Sequence, residues 1–404
     1  MNNIINEKHK LFILMSFCSY LLLSVPVTIQ GANAPAMMAY YDITATQQGF
    51  IMTMQSVGTL GGCLFIALRG EQYNKIHTIV FGLLVLFLTC IYVGFSPSYP
   101  VLLVVIVGVG IGVSFIDIMM NSVVSDVYPK QKNTLLPLVH AFFGAGAMLT
   151  PIFVTHTVNP DLPKTFGRPY LIIGVVIAAV FVMYLLSGRR IMHETPYINM
   201  ESMKKRAVEN PAEIFKDRKS WYFMVVGVLY FNFQLGAAMW LSTYAIKEVG
   251  VSFSIGGMML SAFFAGALPM RFLGPLFLRR FSPQFIFSVF GGVAAALMLA
   301  ALSTNIVPAM FVLFAASGFM QGASVPMYIL LCTEAFPGRS ASAASLGSIS
   351  GGIATLTAPL WMGGLSEYTG FRIPIILICC CLFVSTFMIF IKYRQKTDRQ
   401  KASG

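Results

Sequence analysis

Charge is scarce in this chain: only 10% of its 404 residues are Asp, Glu, Lys or Arg, while 57% are hydrophobic. A polar supply this thin cannot cover a water-soluble globule of that length, so that class is excluded. Acids are the scarcer sign, 15 against 27 Lys and Arg, for a net charge of +12. The excess does not point to nucleic acid, because the basic residues fall in short clusters between apolar runs instead of forming a patch. Seven cysteines are present (Cys18, Cys63, Cys90, Cys332 and Cys379 to Cys381), all inside apolar runs, with neither a disulfide framework nor a zinc-ligand spacing. No HExxH, GxSxG, Walker or EF-hand sequence occurs, so an ATP-driven pump, a membrane hydrolase and a resident metal or cofactor all lack their chemistry. Gly108, Gly110 and Gly112 imitate part of a dinucleotide loop, but they lie inside an apolar run with no strand before them.

Long apolar runs are what the chain has in abundance. A bilayer-spanning helix needs roughly 20 apolar residues. Twelve such runs are readable, at about 11–40, 47–68, 78–96, 99–127, 135–157, 169–188, 220–246, 252–278, 284–304, 306–335, 342–366 and 372–391. The expected fold is an all-α membrane protein. The basic clusters alternate sides, with Lys8, Arg69, Lys130, Arg189 to Lys219, Arg279 and Lys392 to Lys401 on one face, against Lys164, Arg168, Lys247 and Arg372 on the other. By the positive-inside rule both termini are cytoplasmic. The N-terminal run shows no small-residue cleavage site and reads as an uncleaved first helix.

Shifting the chain on itself by 208 positions lays Gly49 on Gly257, Gly58 on Gly266, Gly110 on Gly318, Gly144 on Gly352 and Pro151 on Pro359. A register shared over about a hundred residues without a gap argues for a repeat of six spans each. Two pseudo-symmetric six-helix bundles are therefore expected, at 1–188 and 220–404, joined by a hydrophilic cytoplasmic linker at 189–219 that reads first as a solvated tether and topology signal and second as a basic face for anionic lipid. Duplicated halves of this kind are common in secondary transporters, with the solute site near mid-membrane.

Polar side chains inside the runs are the functional candidates. Asp117 and Asn121 are four residues apart and share a helix face. Asp117 lies nine residues before Asp126, so it sits about 13 Å inside its span at 1.5 Å per residue. Such a carboxylate is costly enough to mark a function. Arg271 and His140 fall at a similar depth from their own ends, and the three together could answer one another as a proton or solute moves. The ordinary alternatives are that Arg271 extends to the interface and that His140 only bonds a neighbouring helix. For solute recognition the available groups are Gln30, Asn33, Gln55, Asn121, Asn232, Gln234, Trp240, Gln321, Tyr328 and Trp361. Amides donate and accept, which suits a hydroxyl-rich neutral solute, and an indole face stacks on the apolar face of a sugar ring. Any single amide serves equally well as interhelical glue, and Trp240 and Trp361 as interfacial anchors. Arg69 with Asp126, and Arg279 with Glu334, recur in the two halves and are read as gate contacts, with structural pinning of short loops the equal alternative.

The six-plus-six pattern and basic central loop resemble the major facilitator superfamily over essentially the whole chain. A finer likeness, to its fucose-proton symporter branch, rests on Ile116-Asp117-Ile118-Met119-Met120-Asn121, followed by His140-Ala141-Phe142-Phe143-Gly144-Ala145-Gly146-Ala147 and Pro151. Members of that branch often carry a first-span acid; residues 11–40 hold none, and Gln30 and Asn33 stand near its place. The resemblance implies a monomeric carrier of small, often sugar-like solutes, with the span-four carboxylate available for proton coupling or solute binding, in a bacterial cytoplasmic membrane. Two other functions are open from the residues: proton-driven efflux of amphiphilic compounds or organic anions, and a non-transporting membrane sensor relying on 189–219.

Overall fold

A computed structural model of the chain describes residues 10–69, 73–127, 132–194, 211–336 and 340–402. Among them the backbone is helical and contains no strand, the expected outcome where apolar surroundings force every N–H and C=O to be satisfied within its own segment.

The chain divides into two compact units, Met1–Ala207 and Val208–Gly404. The first holds helices α1 (Lys10–Tyr41), α2 (Ala45–Arg69), α3 (Lys75–Gly94), α4 (Tyr99–Val127), α5 (Lys132–Thr157) and α6 (Arg168–Glu194). A single tight turn, Pro163–Gly167, leads into α6. The second holds α7 (Arg218–Tyr244), α8 (Phe253–Phe277), α9 (Pro283–Ser303), α10 (Val307–Ala335), α11 (Ser340–Thr369) and α12 (Arg372–Ala402). Eleven of these segments are long and apolar enough to cross a membrane among the described residues. The exception is α11, which has the length, 30 residues, but is diluted by serine, threonine and glycine. Between the units, α6 runs on to Glu194 and a short turn covers Pro211–Lys216; the middle of the expected linker, 195–210, lies outside the described residues.

Helix ends follow local chemistry. Asn74 opens α3 by accepting from the amides of Ile76 and His77, Asp217 opens α7 by accepting from Lys219 N–H, and Ser252 opens α8 through Ile255 N–H. Each satisfies a donor that the first helical turn leaves without an intrahelical partner. Two helices are interrupted. A wide π-type turn at Ile286–Phe290 lies inside α9, and α10 is broken between Gln321 and Ser324.

Packing within the two units is built alike. In the first, α2 packs on α4, α1 on α5, α3 on α4 and α3 on α6; in the second, α8 packs on α10, α7 on α11, α9 on α10 and α9 on α12. Glycines set the closest of these crossings. A methyl group built on Gly58 would lie 1.9 Å from the Val107 carbonyl oxygen, and one on Gly110 would lie 2.0 Å from that of Gln55. At an offset of 208, a methyl on Gly266 would meet the Ala315 oxygen at 1.8 Å and one on Gly318 the Phe263 oxygen at 1.9 Å. Backbone thus lies directly on backbone at the same four positions of each unit, the arrangement small residues permit in helix packing.

Candidate functional site

In the first unit the polar groups gather on Asp117 of α4. The Tyr20 hydroxyl, from α1, donates to Asp117 Oδ1 at 2.8 Å and also lies 3.1 Å from the Asp117 carbonyl oxygen. Asn121 Nδ2, one helical turn on, donates to the same Oδ1 at 3.1 Å. His140 of α5 sets its ring edge-on to Tyr20 with centroids 5.3 Å apart, and Cys63 of α2 lies within electrostatic reach of the carboxylate. Tyr20 is fully buried while Asp117 and Asn121 are half-buried and His140 is exposed. The carboxylate is therefore fixed from behind by a rigid phenol and keeps a partly open side. Behind it, Ser16 donates to Met120 Sδ at 3.2 Å, and Ser19 meets the Tyr184 hydroxyl at 3.3 Å. These contacts join α1 to α4 and α6 beside Tyr20.

Nearer the other end of α1, Gln30 donates to Gln55 Oε1, and Gln55 Nε2 donates to the Pro26 carbonyl at 3.1 Å. Asn33 donates to the Phe166 carbonyl at 2.9 Å. All three amides are buried, so in this unit they join α1 to α2 and to the turn before α6. Gln30 Oε1 and Asn33 Oδ1 nevertheless remain buried acceptors without a donor.

The second unit carries its own network on α7. Tyr230 donates to Gln234 Oε1 at 3.2 Å and accepts from Gln321 Nε2 of α10 at 3.1 Å. Arg271 of α8 is within electrostatic reach of the same phenol. Trp361 of α11 donates to Asn232 Oδ1 at 2.9 Å, while Asn232 Nδ2 closes on the Val228 carbonyl at 2.8 Å. Tyr328 is buried and donates to the Phe223 carbonyl at 2.7 Å. Trp240 is 0% exposed, packs on Phe371 with centroids 5.4 Å apart and leaves its indole N–H without an acceptor. It is a core residue of its unit, not an interfacial anchor.

The structure thus brings Asp117 and Asn121 into direct contact and reaches His140 through Tyr20. It pairs Gln30 with Gln55 and Asn232 with Trp361, and it connects Gln234, Gln321 and Arg271 through Tyr230. Two organising residues, Tyr20 and Tyr230, are absent from the sequence candidates. Both lie on the first helix of their unit, 210 positions apart, the same spacing that relates Arg69 to Arg279; a search for recurring polar residues at that spacing finds them.

The gate candidates fare differently. Arg69, Arg279 and Glu334 are exposed, and the side chain of Asp126 lies outside the described residues. Among the described residues no ion pair joins Arg279 to Glu334; Glu334 Oε2 accepts instead from Gln284 Nε2 at 3.0 Å. No cluster of three metal-ligating side chains occurs among the described residues.

Membrane-length helices in two alike units, each with a phenol-centred polar network, define a multi-pass integral membrane protein. Comparison with known proteins names its family: the model of the Major Facilitator Superfamily matches residues 12–305 and 257–404, and the chain belongs to that family, whose members are transporters and not enzymes. It is 21% identical over 359 residues, 87% of this chain and 86% of the other, to the "Inner membrane transport protein YdiM" of Escherichia coli (strain K12). Among solved structures it resembles a bacterial homolog of the human lysosomal transporter Spinster, with TM-score 0.78 and 16% identity over 96% of this chain and 98% of that one. It also resembles the fucose:proton symporter of Escherichia coli, with TM-score 0.62 and 16% identity over 95% of this chain and 99% of that one.

Proposed function

We propose that this chain is a secondary carrier that moves a small neutral, sugar-like solute by alternating access together with a proton, and that Asp117 is the carboxylate on which the proton acts. The observation that carries the proposal is the Tyr20–Asp117–Asn121 arrangement, an acid held in mid-span by two neutral donors. Taking up a proton changes the charge of such a group by one unit, a large event where water is scarce. The Tyr20 hydroxyl both donates and accepts, so a protonated Asp117 finds a partner without moving its neighbours. Likeness in fold to a fucose:proton symporter supports the reading.

For the solute, the proposal takes Gln234, Gln321, Asn232 and Trp361 of the second unit as recognition groups, with Arg271 as the cation beside their Tyr230, and His140, edge-on to Tyr20, as the titratable group beside Asp117 in the first unit. Both termini are placed on the cytoplasmic side of a bacterial inner membrane, in line with the relative named an inner membrane transport protein. The carrier is taken to work as a monomer, with 1–188 and 220–404 as its moving halves and 189–219 as their tether.

Proteoliposome uptake of labelled monosaccharides and polyols, with and without an inward proton gradient, tests the reading. Accumulation that requires the gradient supports it. Export of a lipophilic dye driven by the opposite gradient, with no sugar accumulation, replaces it with efflux. No counterflow across the panel replaces it with a sensor.

A further inference from the structure

We propose that Arg218, Lys219 and Lys392 form a docking site for the phosphate group of an anionic phospholipid, at the end of the second unit where α7 begins and the apolar part of α12 stops. A cavity of about 470 Å³ opens there, lined by these three cations and by Tyr222, Met388 and Ile391. Its frame is rigid, since the Tyr222 hydroxyl donates to the Met388 carbonyl at 2.6 Å and fastens α7 to α12. The Lys392 ammonium rests on the Tyr222 and Phe223 rings, 4.3 and 4.4 Å from their centroids, which positions it by cation–π attraction instead of by a carboxylate. The charged groups facing Lys392 are Lys219, which repels it, and Asp217, which attracts it. Asp217 also accepts from Lys219 N–H as the cap of α7 at 2.9 Å. Three cations thus converge with one acid, and an anion relieves their repulsion.

The surroundings select a lipid over a free anion. Beside the cavity α12 presents Phe387, Phe390 and Ile391, 62%, 44% and 41% exposed, and α7 presents Trp221, 55% exposed. Exposed phenylalanines suit acyl chains, and an exposed tryptophan marks headgroup depth. A phosphate in the cavity would therefore leave its lipid tails along α12, and basic pockets between helices at a membrane face recognise anionic headgroups in this manner.

The test uses the full-length protein in a non-ionic detergent. It is titrated with dioctanoyl phosphatidylglycerol, dioctanoyl phosphatidylcholine and inorganic phosphate, and bound copies are counted by native mass spectrometry. The wild type should hold one phosphatidylglycerol in preference to phosphatidylcholine, and inorganic phosphate should not displace it. Lys219→Gln and Lys392→Gln should each weaken that binding about five-fold. Lys392→Arg, which keeps the charge, should bind as wild type and shows that position 392 tolerates change. Arg280→Gln removes a charge from an exposed residue that does not line the cavity and should change binding less than two-fold. Equal loss in Arg280→Gln, equal binding of the two lipids, or displacement by inorganic phosphate would each overturn the proposal.

Discussion

The crossing of α8 on α10 admits no side chain at Gly266 or Gly318, which makes substitution there a direct test of the packing. A methyl on Gly266 would lie 1.8 Å from the Ala315 carbonyl oxygen, and one on Gly318 would lie 1.9 Å from that of Phe263. Carbon and oxygen do not approach so closely, so either alanine forces the helices apart by about 1 Å, a gap that forfeits a quarter to a half of each dispersion contact along the seam. Overpacking of this kind costs about 1–3 kcal/mol. Both substitutions are relieved by the same separation. The double variant should therefore cost about as much as the worse single one, with a coupling energy of about 1–3 kcal/mol. Trp221, Trp240 and Trp361 all lie in the second unit, so intrinsic fluorescence during SDS titration in mixed micelles reads its unfolding. An unchanged Gly266→Ala, or a double variant whose cost equals the two singles added, would refute the backbone-on-backbone crossing.

Other outcomes follow from single contacts. Tyr20→Phe keeps the ring beside His140 but removes a bond to a carboxylate worth about 1.5–3 kcal/mol; gradient-driven uptake should fall about ten-fold with counterflow retained, and unaltered uptake would reduce Tyr20 to packing. Trp361→Phe strips the donor from Asn232 Oδ1 and should cost about 1–3 kcal/mol in fluorescence-monitored unfolding. A following Asn232→Ala should then cost less than it does in the wild type. Gly370 has φ +73° and would bring a methyl to 2.3 Å from Glu248 Oε1, the oxygen that accepts from Phe371 N–H at 2.8 Å. Gly370→Ala should therefore lower the thermal midpoint more than Gly250→Ala, whose φ is +76° but whose methyl would enter open space.

How far the sequence carries depends on what spacing can say. Residues four apart on one helix are neighbours whatever the helix packs on, so Asp117 and Asn121 meet as their spacing implies. Glycines 208 apart mark the same crossing twice because a close approach tolerates no substitute. Partners on different helices are another matter. They depend on how each helix is rotated about its axis, which apolar composition leaves open when lipid and protein interiors are alike. Hence Tyr20 was not legible as the partner of Asp117, nor Gln284 as that of Glu334. Gln30 and Gln55 read equally as recognition groups or as interhelical glue, and the structure turns them toward each other across α1 and α2. Their mutual bond makes them a link between α1 and α2, as the bond from Asn121 to Asp117 Oδ1 makes that amide a support of the carboxylate. The break in α10 between Gln321 and Ser324 does carry a local signal, Gly322 and Pro326 beside it, which a reading of one long apolar run passes over.

Proton-coupled transport through Asp117 is tested most directly by comparing wild type with Asp117→Asn in proteoliposomes, measuring both gradient-driven uptake and counterflow of the same labelled solute. The asparagine keeps size and can still accept from Tyr20 and Asn121, but it takes up no proton near neutral pH. Counterflow that persists while gradient-driven accumulation disappears is the predicted result. Accumulation at the wild-type level in Asp117→Asn would contradict it.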